Sequence, residues 1–226
     1  MIPWILLDKV SLPGDGKELR LSQRGTEYSI KVGASELMNS RAHSSEDALA
    51  KLACLKMKKA REPQILVGGL GMGFTLRVAL NNLNARAHVL VAELVPEVVK
   101  WNHRFLSSLA KSPLNDKRVT VYEGDVVDKI NTSKDFYHAI LLDVDNGSEG
   151  LVQKKNDRLY SPCGLKAAYD ALQSEGVLAV WSAGRDVTFT KHLRKAGFKV
   201  EEVQVPTHSG RKGGGAAVVW IAVKGK

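Results

Sequence analysis

From residue 64 onward the chain repeats one rhythm: a short, wholly apolar run, a turn, then a stretch with helical spacing. Ile65-Leu66-Val67, Val89-Leu90-Val91-Ala92, Val119-Thr120-Val121-Tyr122, Ala139-Ile140-Leu141-Leu142 and Val177-Leu178-Ala179-Val180-Trp181 are the predicted strands. The spacing between them predicts helices from the glycines after Val67 to about 83, over 96–109, 126–130, 163–174 and 187–196, the last ended by Gly197. Strands without polar alternation are buried on both faces, so a parallel sheet covered by helices on each side is expected. Two last strands, near 199–205 and 216–223, are joined by a glycine-rich loop with no helix. They are expected to form an antiparallel hairpin at the sheet edge, completing an α/β, doubly wound, mostly parallel seven-stranded sheet.

The first 43 residues follow a different pattern. Leu19-Arg20-Leu21-Ser22 and Tyr28-Ser29-Ile30-Lys31-Val32 alternate apolar and polar, as half-buried antiparallel strands do. Pro13-Gly14-Asp15-Gly16 reads as a turn, and Gln23-Arg24-Gly25-Thr26-Glu27 as a hairpin connection. Ser44-Ser45-Glu46-Asp47 then opens a helix to about Ala60, with a serine cap and acids in the first turn. The expected division is a small N-terminal β-domain, 1–43, and an α/β domain, 44–226.

Composition narrows the class. With 226 residues and 44% hydrophobic content, the chain can bury a substantial core, which excludes disorder as its main state. Two cysteines, Cys54 and Cys163, make no disulfide framework. The N-terminal MIPWILLDKV fits neither a signal peptide nor a spanning helix, and no apolar run reaches about 18 residues, so a cytoplasmic protein with no membrane partner is expected. The net charge is +9, and it is uneven. Residues 61–150 carry a net −1, whereas residues 151–226 carry a net +7. That excess suggests an anionic small-molecule acceptor; nucleic acid is a weaker alternative that no motif supports.

The candidate chemistry lies at the carboxyl ends of the strands, where open α/β folds bind ligands. Gly69, Gly71 and Gly73 follow the first parallel strand and open a helix. Glycines there let a ligand approach the backbone, because no Cβ intervenes. Glu93 ends the second strand, where a carboxylate can accept both ribose hydroxyls of a nucleoside. Gly124-Asp125 ends the third, where a carboxylate can face an adenine amino group, and Asp143 ends the fourth. A dinucleotide-dependent dehydrogenase shares the strand–glycine–helix–acid pattern. The additional acid and the terminal hairpin fit an S-adenosylmethionine-type site better, and no metal site is expected.

At these residues the chain resembles the spermidine/spermine synthase family, within the class I methyltransferase, Rossmann-like fold. Ser45-Glu46-Asp47-Ala48-Leu49 is similar to the helix after that family's small β-domain. Gly69-Leu70-Gly71-Met72-Gly73-Phe74-Thr75-Leu76-Arg77 is similar to its GGGDGGxLR run, and Ala92-Glu93-Leu94-Val95-Pro96 to its VEIDP. Gly124-Asp125 matches its GD, Leu142-Asp143-Val144-Asp145-Asn146 stands at its DSSDP, and Val205-Pro206-Thr207-His208-Ser209-Gly210 resembles its PTYPSG. The resemblance implies a polyamine-forming aminopropyltransferase that uses decarboxylated S-adenosylmethionine, and a homodimer formed through the N-terminal β-segment. It also implies three departures. Met72 stands where the family has the acid that holds the aminopropyl amine, Asn146 where it has the second acid of DSSDP, and His208 where it has tyrosine.

Three functions follow as expectations. The first is methyl transfer from S-adenosylmethionine, whose carboxylate would sit on the glycine-loop amides; the acceptor is unknown. The second is aminopropyl transfer, with Asp145 replacing the displaced acid. The third is a non-catalytic basic binding module. Asp143 is the expected base, with Asp145 and Asn146 orienting the acceptor. Tyr160 and His208 are candidates to face substrate. The first turn of the 44–60 helix, Trp101, Trp181 and Trp220 are read as structural.

Overall fold

The computed structural model describes residues 2–12, 16–57, 59–144, 158–208 and 215–226. Four strands come first: β1 (Ile5–Ser11), β2 (Glu18–Arg24), β3 (Glu27–Val32) and β4 (Ser35–Asn39). They pair antiparallel in chain order, with Leu21 opposite Ile30 and Gln23 opposite Tyr28. Gly25 takes φ +60° in the connection between β2 and β3, the left-handed conformation such a tight turn requires.

The larger unit follows: α1 (Ser44–Lys56), β5 (Gln64–Gly68), α2 (Phe74–Asn82), β6 (His88–Glu93), α3 (Pro96–Arg104), a 3-10 turn at Pro113–Asn115, β7 (Val119–Glu123), α4 (Val126–Asn131), β8 (Tyr137–Leu142), α5 (Pro162–Ala171), β9 (Leu172–Ser182), α6 (Val187–Lys195), β10 (Lys199–Pro206) and β11 (Ala216–Val223). Its seven strands lie in the order β10-β11-β9-β8-β5-β6-β7. The five strands β9-β8-β5-β6-β7 run parallel, and β11 runs antiparallel to both β9 and β10. This is the α/β, mostly parallel sheet with a terminal edge hairpin that the apolar rhythm predicts. The chain builds outward from β5 through β6 to β7, then returns to β8 on the other side. That reversal makes the gap between the ends of β5 and β8 a topological switch point, the favoured position for a ligand.

Alternating residues of each strand enter two cores. Ile65, Val67, Val89, Val91, Ala139 and Leu141 face one, while Leu66, Ala92, Ile140 and Leu142 face the other. Leu19, Leu21, Ile30 and Val32 of the small sheet belong to the first core, so that sheet packs continuously with the main one. Trp101 of α3 fastens the two, its indole N–H donating to Asp8 Oδ2 at 2.8 Å. Among the described residues no helix is long and apolar enough to cross a membrane.

Several boundaries depart from the expected ones. Helix α1 stops at Lys56, because Met57 is extended, and α3 stops at Arg104. Leu106, read as helical, instead lies beyond the helix end and is buried, as is Ala110. The expected serine cap on α1 is absent. His43 precedes the helix without a side-chain cap bond, and the Ser45 hydroxyl donates to Glu46 Oε2 at 2.5 Å instead.

Arg118, just before β7, closes the C-terminal end of α2. Its guanidinium donates to the carbonyls of Leu80, Leu83 and Asn84 and is held by Asp116 at 2.7 Å. These carbonyls are the orphan acceptors of a helix end. Arg118→Ala is expected to cost on the order of 2 kcal/mol, because it leaves them partly buried without donors. Denaturant unfolding measures it; a loss well under about 0.5 kcal/mol would show that water replaces the guanidinium.

Candidate active site

A cavity of about 210 Å³ opens at the switch point. Its floor is made by the ends of β5, β6, β7 and β8, and its roof by apolar side chains of the small sheet, including Leu19, Ile30 and Met38. The glycine loop after β5 has Gly69, Gly71 and Gly73 at φ +88°, +51° and +82°. Gly69 also excludes a side chain sterically, because backbone stands in the way, whereas Gly71 faces the movable end of Met38. A Cβ at Gly69 would meet the Asp143 carbonyl oxygen at 2.4 Å, and one at Gly71 would meet the Met38 thioether at 2.8–2.9 Å. Gly69 and Gly71 line the cavity; Gly73 begins α2 and packs against Pro113 and Asn102.

Four carboxylates line this cavity: Glu93, Asp125, Asp143 and Glu46. Glu93 is 8% exposed and accepts the N–H of Leu70 (2.9 Å) and that of Val95 (2.9 Å). Burial pushes its pKa up, while those backbone donors oppose the shift. It therefore pins the glycine loop to the end of β6. Asp125 caps α4 through Oδ1, which accepts the Val127 N–H at 2.9 Å. Asp143 Oδ2 accepts the Thr75 hydroxyl at 2.5 Å. Asp143 is half-buried at the end of its strand, and desolvation there raises its pKa to about 6 against that hydrogen bond.

Glu46 was read from the sequence as a helix-dipole acid. The structure puts it on the cavity wall beside Asp143, at 6% exposure. Its pKa is raised to about 7, first by burial and then by the Asp143 charge. Nothing in its local sequence distinguishes it from Asp47. Asp47 turns outward one position on and is held by Arg77 at 2.7 Å and by His43 at 3.0 Å. Among the described lining residues there is no Lys, Arg or His.

This arrangement corrects two electrostatic expectations. The basic excess of the C-terminal third does not face the cavity among the described residues. Its members include Arg185 paired with Glu202, Lys166 with Asp170 and Lys224 with Asp135. The glycine loop, expected to receive an anion, has its donors engaged. Gly69 N–H donates to Ala92 O, Leu70 N–H to Glu93, Met72 N–H to the Met38 sulfur and Gly73 N–H to Leu70 O; Gly71 N–H lowers the Glu93 pKa as a further donor.

A second cavity, about 140 Å³, adjoins the first and shares Leu37, Met38, Glu46 and Trp181 with it. Trp181, read as core, is thus a wall between the two, whereas Trp101 and Trp220 are core, each 1% exposed. Thr207 lines the second cavity, and its hydroxyl contacts His208 Nδ1 at 3.0 Å, which sets His208 at the rim. Tyr160 lines neither cavity. Its ring packs edge-on against Phe189 in the second core. Asp145 and Asn146 lie outside the described residues. Cys54 is half-buried, its thiol pushed up to about 11 by burial, and Cys163 is exposed.

The architecture has close counterparts among solved structures. A spermidine synthase from Thermotoga maritima superposes with a TM-score of 0.76 over 97% of this chain and 73% of its own, at 16% identity. The chain has a spermidine-synthase-like fold. A spermidine synthase in complex with the transition-state analogue AdoDATO gives 0.75, over 97% of this chain and 72% of its own, also at 16% identity. In sequence, a polyamine aminopropyltransferase from Prochlorococcus marinus (strain AS9601) is 28% identical over 145 residues, 61% of this chain. The chain spans about half the length of the curated relatives it matches, 49% of that one. No protein-family model matches it.

The raised carboxyl pKa values fix the sign of a pH effect. A carboxyl that holds its proton more tightly when folded lowers stability as pH rises from about 4 through the folded pKa. The groups facing the pair are Thr75 from α2 and Asp47 from α1, the latter neutralised by Arg77. The ligand-free protein is therefore expected to melt at a lower temperature at pH 8 than at pH 5. The Glu46→Gln/Asp143→Asn double variant should show a visibly flatter profile. Parallel profiles in a thermal scan would contradict the like-charge pair.

Proposed function

We propose that the chain is a transferase of the spermidine-synthase type, taking a nucleoside-bearing sulfonium and passing an aminopropyl group to a small amine. One observation carries the proposal: the cavity presents four carboxylates and, among its described lining residues, no basic side chain. A sulfonium with an ammonium tail, such as decarboxylated S-adenosylmethionine, complements that lining. A free α-carboxylate does not, since it would face Asp143 and Glu46 with the loop N–H groups already engaged. The printed name of the curated relatives points the same way. Methyl transfer from S-adenosylmethionine is the less supported reading, and an anionic acceptor loses its electrostatic basis.

The residues then divide the work. Glu93 and Asp125 address the ribose and base, and Gly69 and Gly71 leave room for the chain that leaves the ribose. The sulfonium supplies an electrophilic carbon, whose bond to sulfur breaks as the acceptor nitrogen attacks. Asp143 orients that nitrogen and receives its proton, a role suited by a pKa of about 6. Most of the remaining advantage is alignment. His208 at the rim, with Asp145 and Asn146, completes the acceptor side in this reading. A cytoplasmic location and a homodimer through the small sheet belong to the same proposal.

Calorimetry at pH 8 with both cofactor forms tests the reading. Decarboxylated S-adenosylmethionine is expected to bind at least about tenfold more tightly than the carboxylated form. The reverse order would favour methyl transfer, and binding of neither would remove both enzymatic readings. Asp143→Asn is expected to keep binding within about tenfold while slowing transfer by about 10²–10⁴-fold. Unchanged turnover in that variant would take Asp143 out of the role of base.

A further inference from the structure

We infer that Glu46 is the anchor for the ammonium at the ligand end farthest from its base, and so sets the cavity's preference for a cationic tail. The inference rests on the transferase reading above and adds to it a residue that neither the glycine loop nor the strand ends supply.

Topology orders the cavity. Along the carboxyl edge of the sheet the neighbours are β7, β6, β5, β8 and β9, ending respectively in Asp125, Glu93, the glycine loop, Asp143 and Trp181. Three strand spacings separate the ends of β7 and β8, roughly 14 Å. A base at Asp125 and a ribose at Glu93 occupy the first two positions. Whatever extends from the ribose must cross the glycine loop and end at Asp143 and Glu46. The loop itself brings no charge there, because Met72 is fully buried and lines neither cavity.

Three of the four carboxylates hold another element in place. Glu93 fastens the glycine loop, Asp125 caps α4, and Asp143 ties the end of β8 to Thr75 of α2. Glu46 differs. Its side-chain hydrogen bond is to Ser45, its own neighbour in the first turn of α1, so it positions nothing else. It nevertheless sits at 6% exposure beside the half-buried Asp143, whose charge raises its pKa. Burying a carboxylate beside a like charge costs free energy that the Ser45 hydroxyl offsets only in part, since the pKa of Glu46 stays raised. Its position on the walls of both cavities gives that cost a use, since a cation placed there neutralises the pair.

Two compounds with a neutral thioether in place of the sulfonium separate this role from the nucleoside site. 5′-Methylthioadenosine carries no ammonium; the aminopropyl thioether of 5′-thioadenosine differs only by the ammonium-bearing arm. In wild-type protein at pH 8 the aminopropyl compound is expected to bind about 10- to 100-fold more tightly. Glu46→Gln should remove most of that difference while leaving methylthioadenosine within about threefold, and Glu46→Asp should restore part of it. Equal losses for both compounds, or an undiminished preference in Glu46→Gln, would overturn the inference. Wild-type protein that binds methylthioadenosine without any preference would overturn it and leave the nucleoside site standing. Binding of neither compound would overturn the transferase reading with it.

Discussion

The site is organised around a like-charge pair. Glu46 and Asp143 share one cavity wall, Glu46 buried and Asp143 half-buried, with no cation beside them among the described lining residues. Such a pair is unfavourable in isolation and cannot hold two full charges cheaply in a low-dielectric setting. The fold keeps it because the surrounding elements leave little alternative. Asp143 is placed by the end of β8, with its backbone N–H on Gly68 O, and Glu46 by α1, which packs against α2 and the strands β8, β9 and β11. A cavity with that wall is electrostatically incomplete until a cationic ligand arrives.

The opposite wall is already satisfied. Glu93 spends both carboxylate oxygens on backbone N–H groups, and the glycine loop is hydrogen-bonded through its own residues and Met38. That makes the nucleoside end of the cavity rigid before any ligand binds, which lowers the ordering cost of binding. Charge and preorganisation therefore lie at different ends of one cavity. The small β-sheet contributes the roof, and its fastening through Trp101 and Asp8 keeps Met38 against Gly71.

The sheet was legible in the sequence because four of its five parallel strands carry uninterrupted apolar runs, the edge strand at Val119–Glu123 alternating instead. Glu93, Asp125 and Asp143 were legible for the same reason: strand ends locate them. Glu46 was not, because its signal is local and ambiguous. An acid in the first turn of a helix stabilises the helix dipole whether or not it also faces a cavity. Only the packing of α1 against β8 separates it from Asp47, which Arg77 takes outward. Trp181 was read as core for a related reason, since an apolar strand does not reveal that its last residues emerge at a cavity. The net charge misled most directly. It is a property of the whole surface, and ion pairs such as Arg185 with Glu202 and Lys56 with Glu201 place basic side chains away from a cavity lined by acids.

A cationic ligand completes the Glu46–Asp143 wall, and the protons it displaces report this most directly. Calorimetric titration of decarboxylated S-adenosylmethionine at pH 6.5, in buffers of different ionisation enthalpy, measures the protons exchanged on binding. Net proton release is expected, because a cation placed beside the two carboxyls lowers the raised pKa of each. Net proton uptake, or binding with no proton exchange, would contradict a wall completed by a cation.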